Sequence, residues 1–375
     1  MLARYVKFSA SNVLSLRWTR RLSSCTSGFP ENEKTLNREK SDKFNANVDD
    51  KRHVKVAVLG ANGAVGQVLS LFLKQCPLIT TLSLYDVAPL CGAALDVSHV
   101  DTSCRVYAYS GRDRLQDALK DADIVIMAAG VPQKADMPKG YLFGKNAEII
   151  YDLTTGCCKV CPKALIAVLT NPINSTVPMV SEVLKRNNCY DANKVFGVAA
   201  VHVVRASTFV AERMCLDPTG IMVPVTGGNS AQTLVPVLSQ TKPCFQLNSS
   251  FFKEDVFTFL VRRIRNAALD VMNAKGRVGR ASLSVAYSTA RFTHSLAKGL
   301  CGQQVLECAY VSSSDIPHCP YLINLVELGP NGILRNCGIP KMTSFEQALF
   351  NEALPTLVND INLGIDFVNS PGDNA

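Results

Sequence analysis

Val54-Lys55-Val56-Ala57-Val58-Leu59-Gly60-Ala61-Asn62-Gly63-Ala64-Val65-Gly66 decides the fold. The first six residues are apolar or β-branched apart from Lys55 and end at glycine, the pattern of a strand buried on both faces of a parallel sheet. Leu69, Phe72 and Leu73 then recur at helical spacing. Between strand and helix, glycines provide a tight turn, a close approach for a pyrophosphate, and packing of helix on strand. The helix N-terminus turns backbone N–H groups and the positive end of its dipole toward the phosphates. A glycine triplet alone is a weak signal. Here a second strand, Leu82-Ser83-Leu84-Tyr85, leads into Asp86, 20 residues past Gly66. A carboxylate at that point accepts from both ribose hydroxyls and repels a 2′-phosphate, which selects NAD over NADP. The cofactor residues predicted from this stretch are Gly60, Ala61, Asn62, Gly63, Ala64, Val65, Gly66 and Asp86.

Working outward, strands and helices alternate. Val106-Tyr107-Ala108 is a weak third strand. Residues 123–128 and 165–169 are strong fourth and fifth strands, with a long helix over about 141–160 between them. This alternation predicts a doubly wound parallel sheet, with ligands at the carboxyl ends of its strands. Gly130-Val131-Pro132 and Asn171-Pro172 fall at such ends. Further on, Val256, Phe259, Leu260, Ile264, Ala267, Ala268 and Val271 mark an amphipathic helix. Short strands follow near 305–312 and 321–327, and residues 343–368 read as a closing helix.

The chain has 375 residues, 47% of them hydrophobic and 19% charged, enough for a full globular core. No apolar run reaches the length of a bilayer span, so membrane insertion is not expected. Residues 1–24 hold Arg4, Lys7, Arg17, Arg20 and Arg21, and no acid precedes Glu31. An arginine- and serine-rich, acid-free start reads as a mitochondrial transit peptide, which places the chain in the matrix. Residues 25–53 read as a polar linker. The presequence supplies five of the eight net positive charges, so the basic balance is an address and not a nucleic-acid surface. Arg262, Arg263 and Arg265 read as a solvated helix face, because no aromatic stacking platform accompanies them. The 14 cysteines are expected to be reduced. Cys157-Cys158-Lys159-Val160-Cys161 looks like half a metal site, but no second ligand pair follows at useful spacing, and no metal is expected.

From about residue 54 to 369 the chain resembles a malate dehydrogenase of the mitochondrial type, within the lactate/malate dehydrogenase superfamily. The resemblance rests on Gly60 to Gly66, Leu84-Tyr85-Asp86, Ala129-Gly130-Val131-Pro132, Thr170-Asn171-Pro172-Ile173-Asn174-Ser175-Thr176, Phe196-Gly197-Val198, the string from Arg205 to Glu212, and Leu283-Ser284-Val285-Ala286-Tyr287. It implies an NAD-binding Rossmann domain over 54–197, a mixed α/β substrate and dimerisation domain over 198–369, and a homodimer. It places Asn146, Leu169, Thr170, Asn171 and Val285 at the cofactor. The implied reaction is hydride transfer between nicotinamide and a 2-hydroxy dicarboxylate. A histidine takes the hydroxyl proton, an aspartate orients it, one arginine pairs with the C1 carboxylate, and further loop arginines hold the far carboxylate and polarise the carbonyl.

Mapped residue by residue, the resemblance breaks at the chemistry. Arg205 matches the C1-carboxylate arginine, and Asn171 is kept. In Val225-Thr226-Gly227-Gly228-Asn229-Ser230 the catalytic histidine's position is Asn229, an amide that does not titrate near neutral pH. The orienting aspartate's position is His202. The two loop arginines fall at Gln133 and Lys139; neither keeps the bidentate guanidinium fork. Gln133 resembles what lactate-specific relatives carry there, which points any residual substrate toward a monocarboxylate. Arg277 and Arg280 are extra positive residues in a segment the family places beside the site, and ordinary surface exposure is expected of them. The expected function is a mitochondrial NAD-binding paralogue with little or no malate dehydrogenase activity. The alternatives are a working malate dehydrogenase with His202 as a relocated base, a dehydrogenase of another 2-hydroxy acid, and a structural or regulatory subunit that pairs with an active paralogue.

Overall fold

A computed structural model describes residues 53–131, 139–243 and 254–370. The transit peptide and linker expected over 1–53 lie outside them, apart from His53. The strand that opens the described chain, β1 (Val54–Leu59), is buried along its length, with Val54, Val56, Val58 and Leu59 fully enclosed. Each such side chain contributes roughly 1.5–3 kcal/mol of transfer free energy. It pairs in parallel with β2 (Ile79–Asp86) on one side and β4 (Ile124–Met127) on the other. β3 (Arg105–Ser110) adds to β2, and β5 (Leu165–Val168) and β6 (Val195–Gly197) extend the sheet from β4. The order β3-β2-β1-β4-β5-β6 reverses direction between β1 and β4, the switch point at which open α/β sheets bind ligands.

The sheet does not stop at β6. The antiparallel strand β9 (Val305–Ser312) joins it at Gly197–Tyr310, followed by β10 (Tyr321–Gly329) and β11 (Gly332–Asn336), so nine strands form one continuous layer. A separate hairpin pairs β7 (Val225–Gly227) with β8 (Leu234–Pro236). The weak third strand is real and lies at the sheet edge, half exposed, which is why its apolar pattern is faint.

The helices of both faces are α1 (Ala64–Lys74), α2 (Cys91–Ser98), α3 (Leu115–Leu119), α4 (Lys139–Val160), α5 (Ile173–Arg186), α6 (Ala200–Met214), α7 (Glu254–Ala274), α8 (Leu283–Leu300) and α9 (Ser344–Asn369) among the described residues. Helix α1 buries Leu69 and Leu73 toward the sheet and meets α8 through an edge-to-face pair, Phe72 on Tyr287, at 5.8 Å. Helix α9 starts with a capping box. The Thr343 hydroxyl accepts from the Glu346 N–H, and the buried Glu346 carboxylate accepts from the Thr343 N–H at 2.8 Å. That carboxylate also accepts from the N–H and hydroxyl of Ser239, tying α9 to the segment after β8.

Helix α9 then lies on α5 so closely that a Cβ at Gly364 would sit 2.0 Å from the Ser175 carbonyl oxygen. Only glycine permits that approach. It fixes the residue one turn earlier on the same helix face, Asp360.

Candidate dinucleotide and substrate clefts

At the switch point the β1–α1 turn is shaped by its glycines. Gly60 adopts φ +90°, and a Cβ there would lie 2.5 Å from the Ala129 backbone. A Cβ at Gly66 would lie 2.2 Å from the Gly60 carbonyl oxygen. These two glycines are demanded by the fold itself. Gly63 differs: a Cβ there would meet only the Gly60 carbonyl oxygen, at an ordinary 3.4 Å, and would otherwise face an open cleft of about 660 Å³. The sequence thus keeps a space at the helix N-terminus that packing does not require. Ala61 is buried, whereas Gly63 and Ala64 are exposed at the mouth.

Asp86 ends β2 on the wall of the same cleft. One carboxylate oxygen accepts from the Asn62 N–H at 2.9 Å and the other from the Ala88 N–H at 3.1 Å. Each oxygen keeps a lone pair for a ribose hydroxyl. Arg112 lines the cleft beside it. The bare glycine turn, the helix N-terminus and the carboxylate fit a dinucleotide with an unphosphorylated ribose.

The far end of the cleft is held by Asn146 on α4. This buried amide accepts from the Val131 N–H at 2.7 Å and donates to the Asn171 carbonyl at 2.7 Å. It staples the loop after β4 to the loop after β5. Thr170 adds to the staple by donating to the Ala129 carbonyl at 2.7 Å. Asn146 was expected beside the cofactor; its visible work is to hold together the loops that follow β4 and β5.

A second cleft, of about 400 Å³, gathers Asn171, His202, Arg205, Asn229 and Val285, five positions singled out in the sequence. His202 and Arg205 project from α6, one turn apart, and both are at least nine-tenths buried. Asn171 sits before a cis peptide bond to Pro172 and is exposed to the cleft. Asn229 follows β7, where its backbone N–H donates to Asn174 Oδ1 at 2.6 Å. Its own Oδ1 is buried without a hydrogen-bond partner.

Neither ring nitrogen of His202 makes a hydrogen bond of normal geometry. Burial first, and then the Arg205 charge, push its pKa down to about 4. The nearby Asn229 side chain and backbone offset only part of this. At neutral pH the imidazole is therefore uncharged. Arg205 is a cation facing the cleft, and no carboxylate among the described residues forms an ion pair with it.

Two domain models of known proteins match this chain: lactate/malate dehydrogenase, NAD binding domain, over residues 54–197, and lactate/malate dehydrogenase, alpha/beta C-terminal domain, over residues 201–368. The chain belongs to the lactate/malate dehydrogenase family. It is 44% identical over 317 residues to the mitochondrial malate dehydrogenase of Homo sapiens, covering 84% of this chain and 92% of that protein. The mitochondrial malate dehydrogenase of Caenorhabditis elegans is 44% identical over 314 residues, covering 84% and 91%. Among solved structures, Cryptosporidium parvum malate dehydrogenase superposes with a TM-score of 0.73 at 20% identity, covering 84% of this chain and 99% of that one. Lactate dehydrogenase from Eimeria maxima gives 0.73 at 19%, covering 86% and 98%. The cofactor implied for the first domain is NAD.

Within this family frame some expectations change. Arg280 is half-buried, not fully exposed: it lines the second cleft, and burial lowers its pKa. Arg277 is exposed, as expected. Arg265, expected on a solvated helix face, also lines the cleft; its Nε donates to the Leu234 carbonyl at 2.7 Å, and its Nη2 is buried without a partner. Gln133 lies outside the described residues, and Lys139 is the first residue of α4. Asn174 and Asp360 were not foreseen. Asn174 Nδ2 donates to Asp360 Oδ2 at 3.0 Å and to Thr233 Oγ1 at 3.1 Å, behind Asn229. The one sequence signal for Asp360 was a glycine inside a helix, Gly364, which marks the close approach that brings it in. Cys157 and Cys158 lie on α4 as expected, and no group of three His, Cys, Asp or Glu side chains among the described residues is arranged to hold a metal.

Proposed function

We propose that this chain is a mitochondrial matrix protein that binds NAD in its 54–197 half and a small 2-hydroxy or 2-oxo acid against its 198–369 half, with little or no malate dehydrogenase activity. The observation that carries this reading is the Asn229–His202 pair. Asn229 presents an amide to the cleft where the family's proton acceptor belongs, and His202 is buried with a pKa near 4. When bound, the dinucleotide supplies the hydride acceptor or donor. The chain's own residues bind and orient: Arg205 pairs with a carboxylate, and Asn171 and Asn229 donate to or accept from the substrate oxygen. Among the described residues no group is suited to hold the hydroxyl proton at pH 7. Asp360 is already engaged by Asn174. Loss of a general base alone lowers a rate roughly 10²–10⁴-fold.

The mitochondrial relatives and the arginine-rich start support the localisation. A homodimer, or a heterodimer with an active paralogue, is the proposed assembly. A second reading has one observation in its favour: His202 lines the cleft with an uncharged ring, the form that accepts protons. In that reading the protein is a slow but genuine 2-hydroxy acid dehydrogenase.

The deciding experiment measures malate-dependent NADH formation on purified protein, with NADH binding by calorimetry on the same sample. Binding without turnover supports the first reading. Turnover lost in His202→Asn but kept in Asn229→Ala supports the second.

A further inference from the structure

Three guanidinium groups line the substrate cleft, and they come from three different elements: Arg205 from α6, Arg265 from α7, and Arg280 from the turn before α8. Among the described lining residues Asp360 is the only acid. Among the described residues the lining therefore holds more cations than anions, and His202 is uncharged at neutral pH. Arg205 has no ion-pair partner among the described residues, and Arg265 keeps a buried Nη2 that donates to nothing. Arg265 also stands in the partition to a neighbouring cavity of about 510 Å³, which holds Arg262 and Glu352. Glu352 is the acid that acts on Arg265, and it forms no ion pair with it. The buried Arg265 Nη2 left unpaired is costly, and an anion at this guanidinium supplies the missing acceptor.

We propose that Arg265 and Arg280 form a second anion-binding wall of the cleft, so that the ligand is a small dianion. One carboxylate lies at Arg205 and the second anionic group is held from the α7–α8 side, not by Gln133 and Lys139 of the β4–α4 loop. The proposal rests on the reading of this cleft as a 2-hydroxy acid site, but not on catalysis or on NAD. It reverses the monocarboxylate preference that Gln133 suggests: the charge lost from the loop is supplied by another part of the chain. Arginine suits the task because its planar fork meets a carboxylate with two parallel hydrogen bonds.

The test compares two four-carbon acids that differ in the distal charge, L-malate and L-2-hydroxybutyrate, by calorimetry on the full-length protein with and without NADH. With NADH in place of NAD no hydride acceptor is present, so binding is read without turnover. Malate is expected to bind roughly tenfold or more tightly than 2-hydroxybutyrate, the scale of a charge-assisted hydrogen bond. Arg265→Gln with Arg280→Ser should bring the ratio to about one while 2-hydroxybutyrate affinity changes little, because its single carboxylate stays on Arg205.

The comparison on the unmodified protein can overturn the proposal even if the double variant does not fold. Equal affinity for the two acids, or no binding of either at millimolar concentration, overturns the proposal. So does a malate preference that survives the double variant and vanishes in Gln133→Ala. A malate preference without any NADH binding overturns the function proposed above and leaves this wall standing.

Discussion

The backbone N–H of Asn229 donates to Asn174 Oδ1 at 2.6 Å, so this cleft-lining position is fixed by a side chain three residues past Asn171. Asn174 is locked in turn by Thr233 and Asp360. The loop after β7 thus keeps its place without help from the Asn229 side chain, whose Oδ1 has no partner. Folding and chemistry are separable at this residue. Its side chain can be exchanged while the backbone that aims it stays where it is.

The glycine turn allows a sharp comparison. Gly66→Ala should disrupt folding, because its Cβ would sit 2.2 Å from the Gly60 carbonyl oxygen and 2.7 Å from the Ala61 Cα, backbone atoms that cannot give way. Gly63→Ala should fold with an unchanged melting temperature, because its φ of −69° suits any residue and its nearest contact is 3.4 Å. Yet that methyl enters the space at the α1 N-terminus, and NADH affinity should fall about tenfold or more as phosphate–backbone contacts are lost. Thermal melts and NADH titrations of the two variants check both halves. A Gly63→Ala protein with full NADH affinity would remove the phosphates from this turn.

Asp86 should set the choice of dinucleotide. The unmodified protein should bind NADH well and NADPH poorly, since a 2′-phosphate would meet the carboxylate that already accepts from Asn62 and Ala88. Asp86→Ser should narrow that gap roughly tenfold, through loss of repulsion and of the ribose hydrogen bonds. Arg112 on the same wall then becomes a partner for the phosphate. NADPH binding equal to NADH in the unmodified protein would end this assignment.

How much of this was legible depended on sequence distance. The strands β1, β4 and β5 are enclosed on both faces, so their apolar runs declared them. The cofactor turn is a local feature of thirteen consecutive residues and could be read directly. The second cleft is assembled from residues far apart: Asn174 and Asp360 are 186 positions from each other. Arginine placement was misread for the same reason. On a helix with charges at 262, 263 and 265, periodicity predicts a solvated face, and only the position of β8 shows Arg265 turned inward to the Leu234 carbonyl. Arg280 sits in a turn, where no periodicity assigns a face.

His202 should make stability depend on pH. Its pKa is near 4 in the folded protein against an ordinary value near 6.5, so the unfolded chain binds the extra proton first. Its contribution is therefore fully present above pH 6.5 and is lost as pH falls from about 6.5 to about 4. The difference between the two pKa values sets an upper bound of about 3.5 kcal/mol. His202→Asn removes the titrating ring, so the difference in unfolding free energy between the two proteins should shift toward the variant as pH drops from 7 to 4.5. Parallel denaturation curves at pH 7, 6, 5 and 4.5 measure it. A pH-independent difference would mean that the ring is solvated or paired in solution.

The catalytic series isolates each lost function. Asn229→His alone should recover little malate oxidation, because the new imidazole meets neutral His202, which neither sets its tautomer nor stabilises its charged form. His202→Asp with Asn229→His should recover the proton step. The buried aspartate would be tolerated because the Arg205 charge that depresses the His202 pKa favours a carboxylate in the same place. The two changes should be strongly non-additive, as expected of groups that act as a unit. Adding Gln133→Arg and Lys139→Arg should then raise kcat more than it lowers KM: Arg265 and Arg280 already attract the distal carboxylate, while carbonyl polarisation still needs the loop. Steady-state kinetics in both directions on the single, double and fourfold variants provide the comparison. If the unmodified protein instead oxidises malate at several turnovers per second or more, in the range of ordinary enzymes, the impaired-paralogue reading is wrong. His202 then becomes the leading base, and His202→Asn should abolish the activity that Asn229→Ala leaves in place.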